Sequence, residues 1–129
     1  VKRHYTKSTI LKYGYNKKKL FYNFDFATSH STGFFLKKKI FEKVGNFNTK
    51  FKCSADYDLY YRVLVKYNCD GSFTKKNQIV GEVSSGGYSS KISFFDHLKE
   101  ETLIRFHNNQ NPIIIFFIFL NSLIKNFFK

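Results

Sequence analysis

The sequence predicts one α/β domain of modest size. Short apolar segments of β-prone residues stand between stretches whose apolar residues repeat at helical spacing, so strands and helices are expected to alternate. The 129 residues leave room for one core, and no shift in composition marks a second domain. We therefore expect residues 1–110 to form one folded unit and residues 111–129 to form a separate apolar helix.

The first part of the chain is polar and basic and is expected to lie on the surface. After it, residues 26–36 become apolar and β-prone behind a run of small side chains, which predicts a loop leading into a short buried strand at residues 33–36. His30 stands just before that strand. A lone histidine among serine and threonine is often a structural hydrogen-bonding group, yet α/β folds also bind ligands where strands end, so both roles stay open.

Two helices are predicted next. Residues 38–44 have helical spacing, and Gly45 is suited to the positive φ that ends a helix. The longer helix covers residues 54–67, with Ser54 as its expected N-cap. Its inner face consists of apolar residues at helical spacing: Leu59, Tyr60, Val63, Leu64 and Tyr67.

The two acids at the start of this helix are expected to differ. Asp56 precedes Leu59 and Tyr60 by three and four residues, so it belongs to the apolar face, whereas Asp58 is turned away by roughly 200°. Asp58 is expected to form an exposed ion pair with Arg62. Asp56 is either an ionised general base or an acid that complements the helix dipole, and spacing alone leaves both interpretations open.

Two short strands, at residues 72–74 and 78–83, are predicted before a loop at residues 84–90 with the sequence SSGGYSS. Adjacent glycines among serines allow backbone amides to approach a ligand closely, although an ordinary linker has the same composition. Ser90 is the expected N-cap of an amphipathic helix at residues 91–107.

The C-terminal segment is the most apolar part of the chain. Pro112 is suited to the first helical turn, and the apolar run at residues 113–120 is uninterrupted. A bilayer requires about 20 apolar residues, so this helix is too short to span one. We expect it either to lie in a membrane interface, with Lys125 and Lys129 near anionic headgroups, or to dock on other parts of the protein.

The charge balance is strongly basic. Lys and Arg number 22 against 9 Asp and Glu, which gives a net charge of +13 and favours polyanions or anionic membranes as partners. Aromatic residues between the N-terminal lysines would suit single-stranded nucleic acid, but no recognised nucleic-acid motif accompanies them.

Cys53 and Cys69 are too few for a metal site or a disulfide framework, so reduced thiols and a cytosolic location are expected. Methionine is absent from the sequence, so we expect the natural start to lie upstream of Val1.

Several features together resemble the C-terminal half of family-2 glycosyltransferases with the GT-A fold, especially bacterial enzymes that assemble surface polysaccharides. These features, in order, are a His before a short strand, a basic helix, Gly-x-Phe at residues 45–47, Ala-Asp-Tyr-Asp-Leu at residues 55–59, Arg62, and Gly-Gly-x-Ser at residues 86–89. The resemblance covers residues 27–90. It refines the predicted fold to a partial, Rossmann-like GT-A domain, with residues 1–110 as its acceptor-side part and a C-terminal helical extension.

The resemblance implies inverting transfer of a sugar from a nucleotide-diphosphate sugar to a hydroxyl of a glycan or lipid-linked acceptor. Asp56 matches the family's catalytic base, with Ala55 in place of the Glu found in many relatives. His30 matches a position at the floor of the substrate cleft, and the loop with Gly86, Gly87 and Ser89 matches one expected to order when donor binds.

The resemblance also implies a divalent metal, Mg²⁺ or Mn²⁺, held by an Asp-x-Asp motif that this chain lacks. Asp56 and Asp58 form the sequence Asp-x-Asp, but they occupy the position of the catalytic base and not that of the metal-binding motif. We therefore expect the metal in a longer protein, little or no activity from residues 1–129 alone, and a cytoplasmic location, peripheral at the inner face of the membrane. The alternatives are a small basic module that binds nucleic acid or anionic membrane, and an inactive remnant.

Overall fold

A computed structural model of the chain describes residues 2–4, 9–11, 14, 16–23, 31–75, 77–84 and 86–128. These residues are mostly helical. The α-helices are α1 Lys17–Asn23, α2 Lys38–Val44, α3 Ala55–Tyr61, α4 Phe94–His107 and α5 Pro112–Phe127, and α3 continues as a π-helical turn at Arg62–Lys66. The strands are β1 Lys2–His4, β2 Thr9–Leu11 and β3 Glu82–Ser84, and 3-10 turns lie at Ser31–Gly33 and Tyr88–Lys91.

The prediction of an α/β, Rossmann-like GT-A domain is wrong. The described residues contain three strands of three residues each, in the order β2-β1-β3, with β1 antiparallel to β2 and parallel to β3. A Rossmann-like domain requires a sheet of several parallel strands, whereas in the described residues the one parallel pair, β1 with β3, extends over three residues.

The strands predicted at residues 33–36 and 72–74 are also absent. Gly33 ends a 3-10 turn, and Phe34 and Leu36 pack as individual side chains against the core beside α3. Burial of these side chains provides no partner for backbone N–H and C=O groups, and a strand needs such a partner. Of the predicted strand at residues 78–83, only Glu82 and Val83 lie in β3.

The core is built around α3 and the π-helical turn. Its main cluster combines α1, α2 and α3 through fully buried apolar residues: Leu20, Val44, Leu59, Tyr60, Val63 and Leu64. The predicted inner face of this helix is confirmed except at Tyr67, which is 38% exposed. A second cluster joins Phe51 and Tyr61 to Ile104 of α4.

A buried arginine connects α4 to the N-terminal helix. Arg105 is 1% exposed and donates hydrogen bonds to the backbone carbonyls of Phe21 and Tyr22 and to Gln110 Oε1, which also accepts from the Tyr61 hydroxyl. Burial lowers the pKa of Arg105 to about 10, which still leaves it charged at neutral pH. These hydrogen bonds satisfy a cation that burial would otherwise make costly.

Local signals predict some helix ends and miss others. Helix α2 has the predicted limits, and Gly45 takes a φ of 89° after its last residue. Pro112 starts α5, as expected, and Asn111 Oδ1 caps the helix by accepting from the Ile113 amide, which was not predicted. Helix α4 begins three residues later than predicted, because Ser93 is its N-cap and residues 88–91 form a 3-10 turn.

Asp58 is buried, which corrects the prediction of an exposed ion pair. It is 2% exposed, and Oδ2 accepts from Arg62 Nε at 2.9 Å while Oδ1 accepts from Asn108 Nδ2 at 3.1 Å. The Arg62 guanidinium also donates to the carbonyls of Val44, Gly45 and Asn46 at the end of α2. One ion pair therefore joins α2, α3 and the end of α4.

Replacing Arg62 with Ala should lower the free energy of unfolding by about 3 kcal/mol, because Asp58 would remain buried without its cation. Urea unfolding followed by circular dichroism measures this change. Lys38→Ala is the matched control, since Lys38 forms an exposed i,i+4 pair with Glu42 at 3.9 Å and should contribute less than about 0.5 kcal/mol. Equal losses in the two variants would contradict a structural role for the buried pair.

Candidate functional site

Asp56 lies in the first turn of α3 and is half-buried. Its Oδ1 accepts a hydrogen bond from the backbone N–H of Tyr57 at 2.9 Å, which orients the carboxylate. The neighbouring acid of the Ala-Asp-Tyr-Asp sequence, Asp58, is enclosed by Arg62 and Asn108. The two acids therefore differ in environment: Asp56 is partly accessible to solvent, and Asp58 lies inside the core.

The segment before α3 is held by Glu100 of α4. Its carboxylate accepts hydrogen bonds from three consecutive backbone amides, those of Lys52 at 2.8 Å, Cys53 at 3.1 Å and Ser54 at 2.9 Å. The predicted side-chain cap by Ser54 is absent: its hydroxyl accepts no capping hydrogen bond. Glu100 is a residue that sequence reasoning missed, because it acts across 46 positions and carries no local signal.

Glu100 is ionised by this arrangement. Burial opposes its charge and is the largest influence on its pKa, but the hydrogen bonds from the Cys53 thiol and from the amides of Lys52, Cys53 and Ser54 together outweigh burial. The pKa of Glu100 is therefore lowered from its ordinary value of 4.5. An ionised carboxylate is the better acceptor for these amides, so the anchor is strongest at neutral pH.

Cys53 has a structural role in this site. Its Sγ donates to Glu100 Oε2 at 3.0 Å and lies 3.7 Å from His97 Nδ1. Burial, followed by the charges of Glu100 and Asp56, raises the pKa of Cys53, although a hydrogen bond with Ser54 acts in the opposite direction. A protonated thiol is a poor nucleophile, so the Cys53–His97 pair lacks the character of a cysteine catalytic centre.

A cavity of about 500 Å³ lies beside the anchored segment. Its walls come from residues 50–53, from the turn after the Gly-Gly loop and from α4: Lys50, Phe51, Lys52, Cys53, Tyr88, Ile92, Asp96, Lys99, Glu100, Leu103 and His107. Asp56 is not a wall residue, but its charge acts on the Cys53 thiol, which is one. Along the chain, Asp56 lies three residues after Cys53.

Part of the loop predicted to bind substrate borders the same cavity. Gly86 and Gly87 are exposed and precede Tyr88, a wall residue, and Ser89 lies in the following 3-10 turn. A Cβ atom added at Gly86 or at Gly87 would meet nothing within 4 Å. His30, the remaining predicted substrate-binding residue, lies outside the described residues. The structure thus brings Tyr88 of this loop and residues 50–53 to one cavity, whereas Gly86, Gly87 and Ser89 are not wall residues.

The charged side chains of the cavity wall have a small excess of positive charge. Positive charge comes from Lys50, Lys52 and Lys99, and negative charge comes from Asp96 and Glu100. The carboxylate of Glu100 already accepts hydrogen bonds from three backbone amides. Sequence reasoning missed this group, because the three lysines come from two segments almost 50 positions apart. Such a cavity is suited to an anionic ligand such as a phosphate ester.

The residues that the structure describes do not fit the divalent metal that the family resemblance implies. Among them, no three side chains of His, Cys, Asp or Glu come together as ligands. Asp56 and Asp58 do not form a chelating pair either, because both carboxylate oxygens of Asp58 accept hydrogen bonds from Arg62 and Asn108.

Comparison with protein-family models, with curated proteins and with solved structures finds no match to the chain. The side chains around the cavity are therefore the basis on which its function is assigned.

Replacing Glu100 with Gln should destabilise the protein by about 1 kcal/mol at pH 7, because a partly solvated charged acceptor is lost. The pKa of Glu100 is lower in the folded protein, so its contribution is complete above pH 4.5 and is lost as the pH falls through the lower folded value. The difference in unfolding free energy between wild type and E100Q should therefore shrink on acidification. Urea unfolding at several pH values measures it.

The control for this pH series is Glu42→Gln, which changes an exposed carboxylate of α2. Its unfolding free energy should follow that of the wild type throughout. A difference between wild type and E100Q that stays constant down to low pH would contradict the anchoring role of ionised Glu100.

Replacing Gly86 with Ala should destabilise the loop by about 1 kcal/mol, since Gly86 has a φ of 94° that L side chains rarely adopt. Gly87→Ala is the matched control: its backbone lies outside that region and the added Cβ meets no neighbour. Hydrogen exchange at residues 86–91 measures the opening of the loop. Equal exchange rates in G86A and G87A would contradict a conformational requirement at Gly86.

Proposed function

We propose that this chain is the acceptor-side part of an inverting glycosyltransferase in which Asp56 is the general base. One observation carries the proposal: of the two acids that start α3, Asp56 is half-buried and lies three residues after Cys53, a wall residue of the cavity, whereas Asp58 is enclosed in the core. A base must reach the proton that it removes, and of these two acids Asp56 meets this requirement.

The reaction proceeds in one displacement. The acceptor hydroxyl gives its proton to the Asp56 carboxylate, and the acceptor oxygen forms a bond to the anomeric carbon of the donor sugar. The bond between that carbon and the phosphate oxygen breaks on the opposite face, and the nucleoside diphosphate leaves with the electron pair. The configuration at the anomeric carbon is therefore inverted, and Asp56 is left protonated.

The anchoring by Glu100 supports this role through geometry. Its hydrogen bonds to three amides hold the segment next to α3, so the Asp56 carboxylate is attached to a backbone with little freedom. Positioning of a reacting group lowers the barrier because less orientational entropy is lost in the transition state. Glu100 is a positioning residue, since it does not contact a reacting atom.

The cavity supplies the features that a phosphorylated sugar needs. Lys50, Lys52 and Lys99 offer positive charge to a diphosphate of the donor or of a lipid-linked acceptor, and Tyr88 offers an aromatic face to a sugar ring. The open space at Gly86 and Gly87 leaves room for a ligand beside their backbone, and Ser89 follows them in the same loop. His30 completes the proposed substrate-binding residues.

The proposed reaction includes a divalent metal, Mg²⁺ or Mn²⁺, held by residues of the natural protein other than those described here. When bound, that metal would neutralise charge on the diphosphate leaving group. We therefore expect residues 1–129 alone to have little or no activity. Cys53 and Cys69 are free thiols, which supports a reducing, cytoplasmic location for the reaction.

Replacing Asp56 with Asn in the whole natural protein should lower kcat for sugar transfer by about 10² to 10⁴-fold, because the carboxamide does not accept the hydroxyl proton. The measurement is release of nucleoside diphosphate from a panel of nucleotide sugars in the presence of glycan and lipid-linked acceptors. Donor binding, measured by calorimetry, should be unchanged, since Asp56 acts on the acceptor. Asp70→Asn is the control, because Asp70 is an exposed acid paired with Lys17.

Full activity of D56N would exclude Asp56 as the base. Absence of any sugar transfer by the wild type, together with tight binding of single-stranded nucleic acid that weakens steeply with salt, would favour the small basic binding module instead.

A further inference from the structure

Helix α5 contacts the rest of the protein through one face. Ile115 is 2% exposed, and Ile114, Ile118 and Ser122 beside it are half-buried. The helix packs against α4, which precedes it in the chain. The opposite face, which we call the outer face of α5, is directed away from the protein.

The outer face of α5 is continuously apolar. At about 100° per residue, six exposed apolar side chains lie within an arc of about 100°, and no polar residue of the helix falls inside that arc. These residues are Ile113, Phe116, Phe117, Leu120, Ile124 and Phe127, with exposed fractions from 41% to 78%. A helix at the surface of a water-soluble domain normally has the reverse pattern, with charged residues outward.

Charge distinguishes between the surfaces that would cover this face. The sequence contains no Asp or Glu after Glu101, whereas Lys125 and Lys129 lie near its end, and the whole chain carries a net charge of +13. A second copy of the chain would also have a net charge of +13, and repulsion between the two copies opposes self-association. An anionic lipid surface combines an apolar layer for the phenylalanines with negative headgroups for the lysines.

The dimensions of α5 determine its orientation on such a surface. Its 16 residues correspond to about 24 Å, and no helix among the described residues is long and apolar enough to cross a bilayer. A helix with one apolar face and a second face held against α4 lies along the surface, with the apolar face at the boundary between headgroups and acyl chains.

We propose that the outer face of α5 binds the interface of an anionic lipid membrane and lies parallel to it. Apolar burial supplies the affinity of α5 for the membrane, and the excess of lysines confers preference for negatively charged lipid. The exposed apolar residues and the positive charge support this membrane attachment, which is independent of the role proposed for Asp56.

The test is sedimentation of the full chain with vesicles of phosphatidylcholine alone and of phosphatidylcholine mixed with phosphatidylglycerol. The chain should bind the mixed vesicles more tightly, and added salt should weaken that binding. The double substitution Phe116→Ser, Phe117→Ser should weaken binding at least about tenfold, because two of the largest apolar groups of the outer face are lost.

The matched control is Phe35→Ser, Phe73→Ser, which removes two equally exposed phenylalanines, 78% and 63% exposed, outside α5. This variant should bind vesicles as tightly as the wild type, and circular dichroism of both variants should match that of the wild type.

Three results would overturn the proposal. The first is absence of binding to either kind of vesicle, and the second is equal loss of binding in the α5 variant and the control variant. The third is a stable dimer in analytical ultracentrifugation that the α5 variant abolishes, since the outer face would then be an interface between two copies.

Discussion

The buried ion pair between Asp58 and Arg62 is the interaction on which the rest of the structure depends. Short helices such as α2, which has seven residues, contain few apolar side chains. Burial of those side chains alone would hold the helices together only weakly. The Arg62 guanidinium satisfies the carbonyls that end α2, while Asp58 accepts from Asn108 at the end of α4. Because a buried charge is costly without its partners, this arrangement strongly disfavours other ways of packing the helices.

Glu100 extends the same principle to the candidate site. It uses one carboxylate to hold three consecutive amides before α3, so the start of α3 depends on a residue of α4 that lies 46 positions beyond Ser54. The cavity exists because this contact brings residues 50–53 against α4 and the turn that contains Tyr88. The three lysines and Tyr88 are therefore placed around one cavity by tertiary contacts between elements that are distant in sequence.

Helix α5 presents a different physical problem. Apolar residues on a helix usually lie against the core, but here the most apolar face of α5 is exposed and a mixed face packs on α4. The apolar run after Pro112 indicated this helix from composition alone. The orientation of its faces was visible only once α4 and α5 were placed together, because a helix that is apolar on several sides has no single face that must point inward.

The sequence by itself determined those features that depend on neighbouring residues. These include the limits of α2 with Gly45 after it, the start of α5 at Pro112, and the apolar spacing of α3, because helix ends, turns and periodicity act within a few positions. The tertiary structure decided which acid is buried, which group anchors the start of α3 and whether short apolar segments become strands. Asp58 is buried because Arg62 and Asn108 contact it, Glu100 accepts from amides of the segment before α3, and the segment at residues 33–36 lacks a strand partner. Each outcome depends on groups far apart in the chain, so no local pattern encodes it.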